Sequence, residues 1–213
     1  MIISQEQCHA ESPSFEWAVK LRQPVSIIVI AACAALLIMT PLSWQGNGLL
    51  AQALDALGFV LVVVAAFGRI WSSLYISGYK EDRIVAEGPY AIVRNPLYVF
   101  SFLGALGLGL ATKHVSILIV IAAAFALYYP LVVLTEECNL QRKFGQAFWD
   151  YASRTPRFFP RRFQLVEPDV YPVRPRHVRR SLQQIILFFC FFLLLHLVVV
   201  FQQSGLPTNA PLF

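Results

Sequence analysis

The chain has 213 residues, 57% of them hydrophobic and 14% charged, against about 45–50% and about 25% in soluble domains. Its mean hydropathy is +0.61 and its formal net charge is +5. These values exclude an ordinary soluble domain and a disordered chain. They leave length for roughly four to six membrane spans and none for a separate large soluble domain.

Residues 1–22 are polar, with Glu6, Glu11 and Glu16, and read as an interfacial lead-in. Five apolar stretches follow, near 25–40, 51–76, 97–112, 115–135 and 184–202. The first ends near Pro41, and Ser43 to Gly48 form a short turn with Trp44 at the interface. The second carries Arg69 and exits through Trp71, Tyr75 and Tyr79, an aromatic belt. The third and fourth form one apolar run broken by Thr112-Lys113-His114. Its first arm reaches only about 24 Å at 1.5 Å per residue, so a tight helical hairpin with one short arm is expected. Gly104, Gly107 and Gly109 suit close packing of that arm.

Residues 136–183 are the sizeable polar part. Leu140, Phe144, Ala147, Phe148 and Tyr151 recur at helical spacing, so Glu136–Ala152 is expected to prolong the fourth stretch as an amphipathic helix. Pro156, Pro160, Pro168, Pro172 and Pro175 predict irregular backbone that wraps one face of the bundle.

The expected fold is therefore an all-α, polytopic membrane bundle of about five transmembrane helices with a cytoplasmic helix-and-loop cover. Three parts are expected: 1–54, a lead-in and first span; 55–162, a core with the functional pocket; and 163–213, a Pro/Arg-rich segment and the last span. Arg and Lys gather at Lys20 and Arg22, at Lys80, Arg83 and Arg94, and between Arg142 and Arg180, with only Lys113 opposite. The positive-inside rule puts the N-terminus, the 77–96 loop and the 136–183 segment in the cytoplasm. Basic residues beside a span point to anionic lipid and away from nucleic acid. The cysteines Cys8, Cys33, Cys138 and Cys190 show no metal-ligand spacing, and no metal site is expected.

Two polar clusters break the apolar pattern. Asp82 to Tyr90 runs through a Gly88-Pro89 turn to Arg94-Asn95-Pro96-Leu97-Tyr98. Pro96 suits a first helical position with Asn95 as N-cap, and such a helix end attracts a carboxylate. Tyr90 and Tyr98 add aromatic faces that attract cations. The second cluster is Glu136-Glu137, whose side chains leave a helix about 100° apart. Ionisable groups beside hydrocarbon are costly unless they line a protein-enclosed cavity. The two clusters therefore mark a pocket at the cytoplasmic membrane face. His114 reads as a turn residue and His196 as a polar spot in the last span.

In their order and spacing these motifs resemble the isoprenylcysteine carboxyl methyltransferase family, a branch of membrane methyltransferases that includes the phospholipid N-methyltransferases. The motifs are the Gly-Pro-Tyr turn, Arg94-x-Pro96-x-Tyr98, the short hairpin, Glu136-Glu-x-x-Leu140, the Phe144-Gly…Tyr151 helix and Pro156-Arg-Phe-Phe-Pro160. The resemblance covers roughly residues 55–162. It implies an S-adenosylmethionine site formed by Asp82, Arg83, Ile84, Val85, Tyr90, Arg94, Asn95, Pro96, Leu97, Tyr98 and Glu136. The implied activity is methyl transfer to a carboxylate, phosphate or amine head group on a lipid or lipidated acceptor. Arg69 and Arg157 (or Arg154) would orient an anionic acceptor, and Glu137 would take the proton of an amine. The chain departs from the family at Asn95, where the family has His, and at Val132, where the eukaryotic prenylcysteine enzymes have Arg. A membrane NADPH-dependent reductase of the sterol reductase type and a non-enzymatic scaffold are the competing readings.

Overall fold

The computed structural model describes residues 17, 20–40, 42–44, 48–76, 79, 82–161, 163, 165–173 and 175–203. Most of the polar lead-in, Pro41, Lys80, Arg162, Arg174 and the tail from residue 204 lie outside the described residues.

The described residues are all-α. The helices are α1 (Arg22–Met39), α2 (Leu49–Ile76), the single turn α3 (Pro89–Ile92) and α4 (Pro96–Ala111). Next come α5 (Val115–Leu127) and α6 (Tyr129–Phe144), which run on as one 30-residue helix. The chain continues through α7 (Gln146–Arg154) and α8 (Pro175–Gln203). Two helices, Leu49–Ile76 and Val115–Phe144, are long and apolar enough to cross a membrane. Gln23–Met39, Pro96–Ala111 and Phe188–Gln202 are shorter apolar helices. Leu49, Phe67, Ile119 and Leu193 are exposed, as suits side chains that meet lipid.

The helix pair α2 and α4 forms the spine of the bundle. A Cβ added at Gly107 would lie 2.6 Å from the Gly58 carbonyl oxygen. Only glycine lets the two backbones approach this closely. The expected hairpin forms, with α5 folding back on α4 and α1 packing on α5 through Leu37, Ile117 and Ile121. Helix α8 lies against α2 and α4, with Phe192 packed on Val62 and Ala111. At the hairpin tip Lys113 takes φ 59°, a left-handed conformation that side chains rarely adopt. The tip is held because Lys113 O accepts from Ser43 N at 2.8 Å and Lys113 Nζ pairs with Asp55 Oδ2 at 3.0 Å. His114 is buried, its ring between the carbonyls of Thr112 and Thr40.

Three local expectations are corrected. The amphipathic helix does not run unbroken from Glu136 to Ala152. Gly145 at φ 55° ends α6 and starts α7, because glycine alone enters that region without steric cost. Pro175 does not extend the irregular segment but opens α8, where its missing N–H has no partner to lose. Asn95 occupies the cap position of α4, yet its side chain makes no cap hydrogen bond; it turns to Glu137.

Candidate functional site

One end of the bundle, the end expected to face the cytoplasm, is built where the α3–α4 turn, the α6 carboxylates and the described residues of 155–173 meet. Gly88, at φ 58°, starts the turn, and a Cβ there would lie 2.5 Å from the Tyr75 ring. The Gly88 N–H donates to Val166 O at 2.8 Å, and Arg94 N–H donates to Pro156 O at 2.8 Å. The backbone of 155–173 is thus stitched across the turn as a strap.

Glu137 is the hub. It is 5% exposed. Arg157 grips it through Nε at 3.2 and 3.1 Å and Nη2 at 2.7 Å. Asn95 Nδ2 donates to its Oε1 at 3.1 Å, and Arg94 Nε lies 3.3 Å from the same oxygen. Arg94 also donates to Ala152 O at 3.2 Å. Burial pulls the Arg94 guanidinium pKa below its ordinary value, opposed by Glu137 and reinforced by Arg157. The carboxylate is thus shared by two guanidiniums and an amide. Glu137, the expected proton acceptor, thus lies within reach of Arg157, Arg94 and Asn95 together.

A second cluster sits deeper. Arg69 donates through Nη1 to the Ser101 hydroxyl, which donates in turn to Leu97 O at 2.6 Å. Tyr129 and Tyr90 lie within electrostatic reach of its guanidinium. The Tyr98 and Tyr129 rings meet edge-on at 5.5 Å, and Phe125 stacks on Tyr129 at 4.0 Å. Tyr90 is buried, and its hydroxyl has no hydrogen-bond partner among the described residues. Burial raises its pKa well above the ordinary tyrosine value, with Tyr151, Glu136, Tyr171 and Tyr98 adding to the shift. Glu136 and Tyr98 therefore share its surroundings. Tyr151 donates to the Tyr90 carbonyl at 2.8 Å, and burial raises its pKa too.

The structure so divides the expected residues into groups. Arg94, Asn95, Glu137 and Arg157 form one ion-paired network. Arg69, Tyr90, Tyr98 and Glu136 belong to the deeper cluster. Val85 and Pro96 are buried, while Ile84 and Leu97 are half-buried. Asp82 and Arg83 are exposed at the rim, where Arg83 pairs with Glu87 at 2.8 Å. Its guanidinium lies 5.2 Å from the Tyr79 ring centroid and 5.4 Å from that of Tyr171. Sequence reasoning missed Tyr171, whose hydroxyl donates to Tyr75 O at 2.6 Å. It also missed Ser101, Tyr129 and the Tyr151 bond. Tyr171 stands in a Pro-rich stretch without periodicity, so no local pattern marks it. Among the described residues no group of three or more His, Cys, Asp or Glu could hold a metal ion.

Comparison with known proteins sets this geometry in context. A family model described as phospholipid methyltransferase matches residues 48–147. Across 200 residues, 93% of each chain, the sequence is 35% identical to the nickel-cobalt-cadmium resistance protein NccN of Alcaligenes xylosoxydans xylosoxydans. It is 43% identical over 134 residues to the cobalt-zinc-cadmium resistance protein CzcN of Cupriavidus metallidurans, covering 63% of this chain and 61% of that one. No solved structure matches.

Proposed function

The chain carries a phospholipid methyltransferase family domain and belongs to the family of NccN and CzcN; on that premise we propose that it is an S-adenosylmethionine-dependent methyltransferase acting on a lipid-like acceptor. With five spans, the site lies at the cytoplasmic face of a bacterial inner membrane, and the N-terminus is on the same side.

The observation that carries this reading is the Tyr90 hydroxyl, buried without a partner inside the family-matched region. Buried polar groups are nearly always satisfied, so an orphan at a candidate site points to an absent ligand. The donor set fits S-adenosylmethionine. Tyr98 and Tyr129 offer aromatic faces to a cation, Glu136 offers a carboxylate, and in the first turn of α4, where Pro96 has no N–H and Tyr98 and Val99 donate to Asn95 O, Leu97 offers its N–H to an anion. When bound, S-adenosylmethionine supplies a methyl group already activated by its sulfonium. The chain's own task is to orient the acceptor and exclude water. Arg69 holds an anionic head group, steadied by Ser101. Glu137, Arg94, Asn95 and Arg157 are positioning residues that fasten the 155–173 strap over the site. The ion-pairing of Glu137 favours this role over proton transfer. The isoprenylcysteine-type resemblance supports a lipidated acceptor, with a carboxylate, phosphate or amine as nucleophile.

Titration calorimetry of the purified protein with S-adenosylhomocysteine and NADPH tests the reading. S-adenosylhomocysteine should bind, and Glu136→Ala should abolish that binding without lowering expression. Binding of NADPH alone would transfer support to the reductase reading, and binding of neither to a scaffold. Membranes given radiolabelled cofactor should incorporate label into the lipid fraction.

The relatives' names favour a compatible second reading, that the methylated product supports tolerance of divalent metal cations. Cells lacking this chain should then be more sensitive to nickel, cobalt or cadmium, and Glu136→Ala should fail to restore tolerance.

A further inference from the structure

The 155–173 strap is fastened to the bundle at two places, and the fastenings differ in kind. At its start Thr155 is buried, and Pro156, Arg157 and Phe158 are half-buried. There Arg157 grips the buried Glu137, and Pro156 O accepts from Arg94 N–H at 2.8 Å. Such a pair resists opening, because separation strands a buried charge.

Residues 165–173 are held otherwise. Tyr171 is the one residue among them that is not exposed. Leu165, Val166 and Val170 face outward, so this stretch buries little apolar surface of its own. Its hold is a latch on the end of α2. The Tyr171 hydroxyl donates to Tyr75 O at 2.6 Å, and its ring meets those of Tyr75 and Tyr79 at 4.6 and 5.7 Å. The Arg83 guanidinium lies 5.4 Å from the Tyr171 ring centroid. Tyr79 donates to Pro172 O at 3.0 Å and Tyr75 to Glu167 Oε1 at 3.3 Å. Both of these bonds are exposed, so water competes for them. One backbone bond is added, from Gly88 N–H to Val166 O at 2.8 Å. Gly88 stands two residues before Tyr90, and Tyr171 lies within electrostatic reach of the Tyr90 ring. Residues 165–173 thus lie against the turn that carries the unpartnered Tyr90 hydroxyl.

We propose that residues 165–173 are a gate over the Tyr90 site, latched by Tyr171, which opens while Arg157 keeps the start of the strap in place. Opening breaks the exposed contacts at the end of α2 and spares the Glu137 network. It is therefore a local event, cheaper than release of the whole strap. The gate's role rests on the reading of Tyr90 as a ligand contact: the ligand enters and leaves when the latch is undone.

Two backbone amides report on the two fastenings. Gly88 N–H is protected by Val166 O, and Arg94 N–H by Pro156 O. Residue-resolved hydrogen exchange of the full chain in mild detergent, corrected for intrinsic rates, should show Gly88 opening more readily than Arg94. Tyr171→Phe should speed Gly88 exchange about fivefold, the equivalent of one hydrogen bond. Tyr171→Ala also removes the ring contacts and should speed it about a hundredfold. Neither should move Arg94, whereas Glu137→Ala should. In stopped-flow binding of S-adenosylhomocysteine, Tyr171→Ala should raise the association and dissociation rates together, each about tenfold, with Kd within about threefold. Equal acceleration of Gly88 and Arg94 in Tyr171→Ala would mean that the strap moves as one piece, and overturns the gate. Unchanged binding rates in a variant whose Gly88 exchange is accelerated overturn it as well. Failure of the unsubstituted chain to bind S-adenosylhomocysteine would sink the methyl-donor reading instead, and the contrast between the two amides then decides the gate alone.

Discussion

Each end of the bundle holds an ion pair, and the two pairs are completed differently. At the candidate-site end Glu137 is shared by Arg94, Arg157 and Asn95, so its oxygens are consumed by the protein itself. At the far end Asp55 Oδ2 pairs with Lys113, and Oδ1 is buried with no hydrogen-bond partner among the described residues. The first arrangement is architecture: it ties a helix, a turn and a strap together. The second holds the hairpin tip against α2 and leaves one carboxylate oxygen unmet. A buried charge thus marks a ligand site only where its hydrogen-bonding capacity exceeds what the fold supplies. By that criterion the Tyr90 hydroxyl, buried with no hydrogen-bond partner among the described residues, is a stronger candidate for a ligand contact than the more conspicuous Glu137.

The largest expected effect breaks the closed end alone. Glu137→Ala leaves two guanidiniums without their carboxylate and should cost about 3–5 kcal/mol, read by thermal unfolding. Hydrogen exchange across residues 155–173 should rise sharply, while protection at the Asp55–Lys113 end stays unchanged. A loss under about 1 kcal/mol, the level of an exposed pair, would show that the network does not anchor the strap.

Tyr90→Phe sharpens the contrast because its two effects should have opposite signs. Removing an unpartnered buried hydroxyl should leave the ligand-free protein as stable as before, or more so, by up to about 1–3 kcal/mol. Affinity for S-adenosylhomocysteine should fall about tenfold, the equivalent of one lost hydrogen bond. Unaltered affinity would remove Tyr90 from the cofactor site.

Tyr90 and Tyr151 also set a pH dependence. Burial raises both above the ordinary value of 10.0. Above that pH the unfolded chain releases protons that the folded chain retains, so these groups add stability below pH 10 and lose it as pH rises further. The urea midpoint should fall between about pH 10 and 11. Tyr151→Phe should make that fall shallower.

The smallest effect belongs to the rim. Tyr171→Phe removes the bond to Tyr75 O and should cost about 0.5–1.5 kcal/mol. Limited proteolysis within 163–173 should quicken modestly, with the Glu137 network intact.

Hydrophobic runs, prolines and glycines are local properties, and they carried much of the architecture. The apolar stretches named α1, α2 and α4 to within three residues, whereas α8 begins nine residues before its apolar run; the Thr112-Lys113-His114 break named the hairpin, and Gly104, Gly107 and Gly109 named a closely packed arm whose contact with α2 falls at Gly107. The exceptions were also local: Gly145 and Pro175 admit two readings until the backbone is seen. The chemistry of the site was legible as residue types. Arg69, Tyr90, Asn95, Glu136 and Glu137 each stand out as polar groups beside hydrocarbon, a cost visible in one dimension. Their partners were not visible. Arg157 reaches Glu137 across 20 positions, Tyr171 reaches Tyr75 across 96, and Asp55 and Lys113 face one another only because the hairpin folds against α2. The sequence by itself determined which groups are too polar for their surroundings. Only the tertiary structure decided which of them satisfy one another and which remain open, because hydrogen bonds and ion pairs act over a few ångströms of space whatever the separation along the chain.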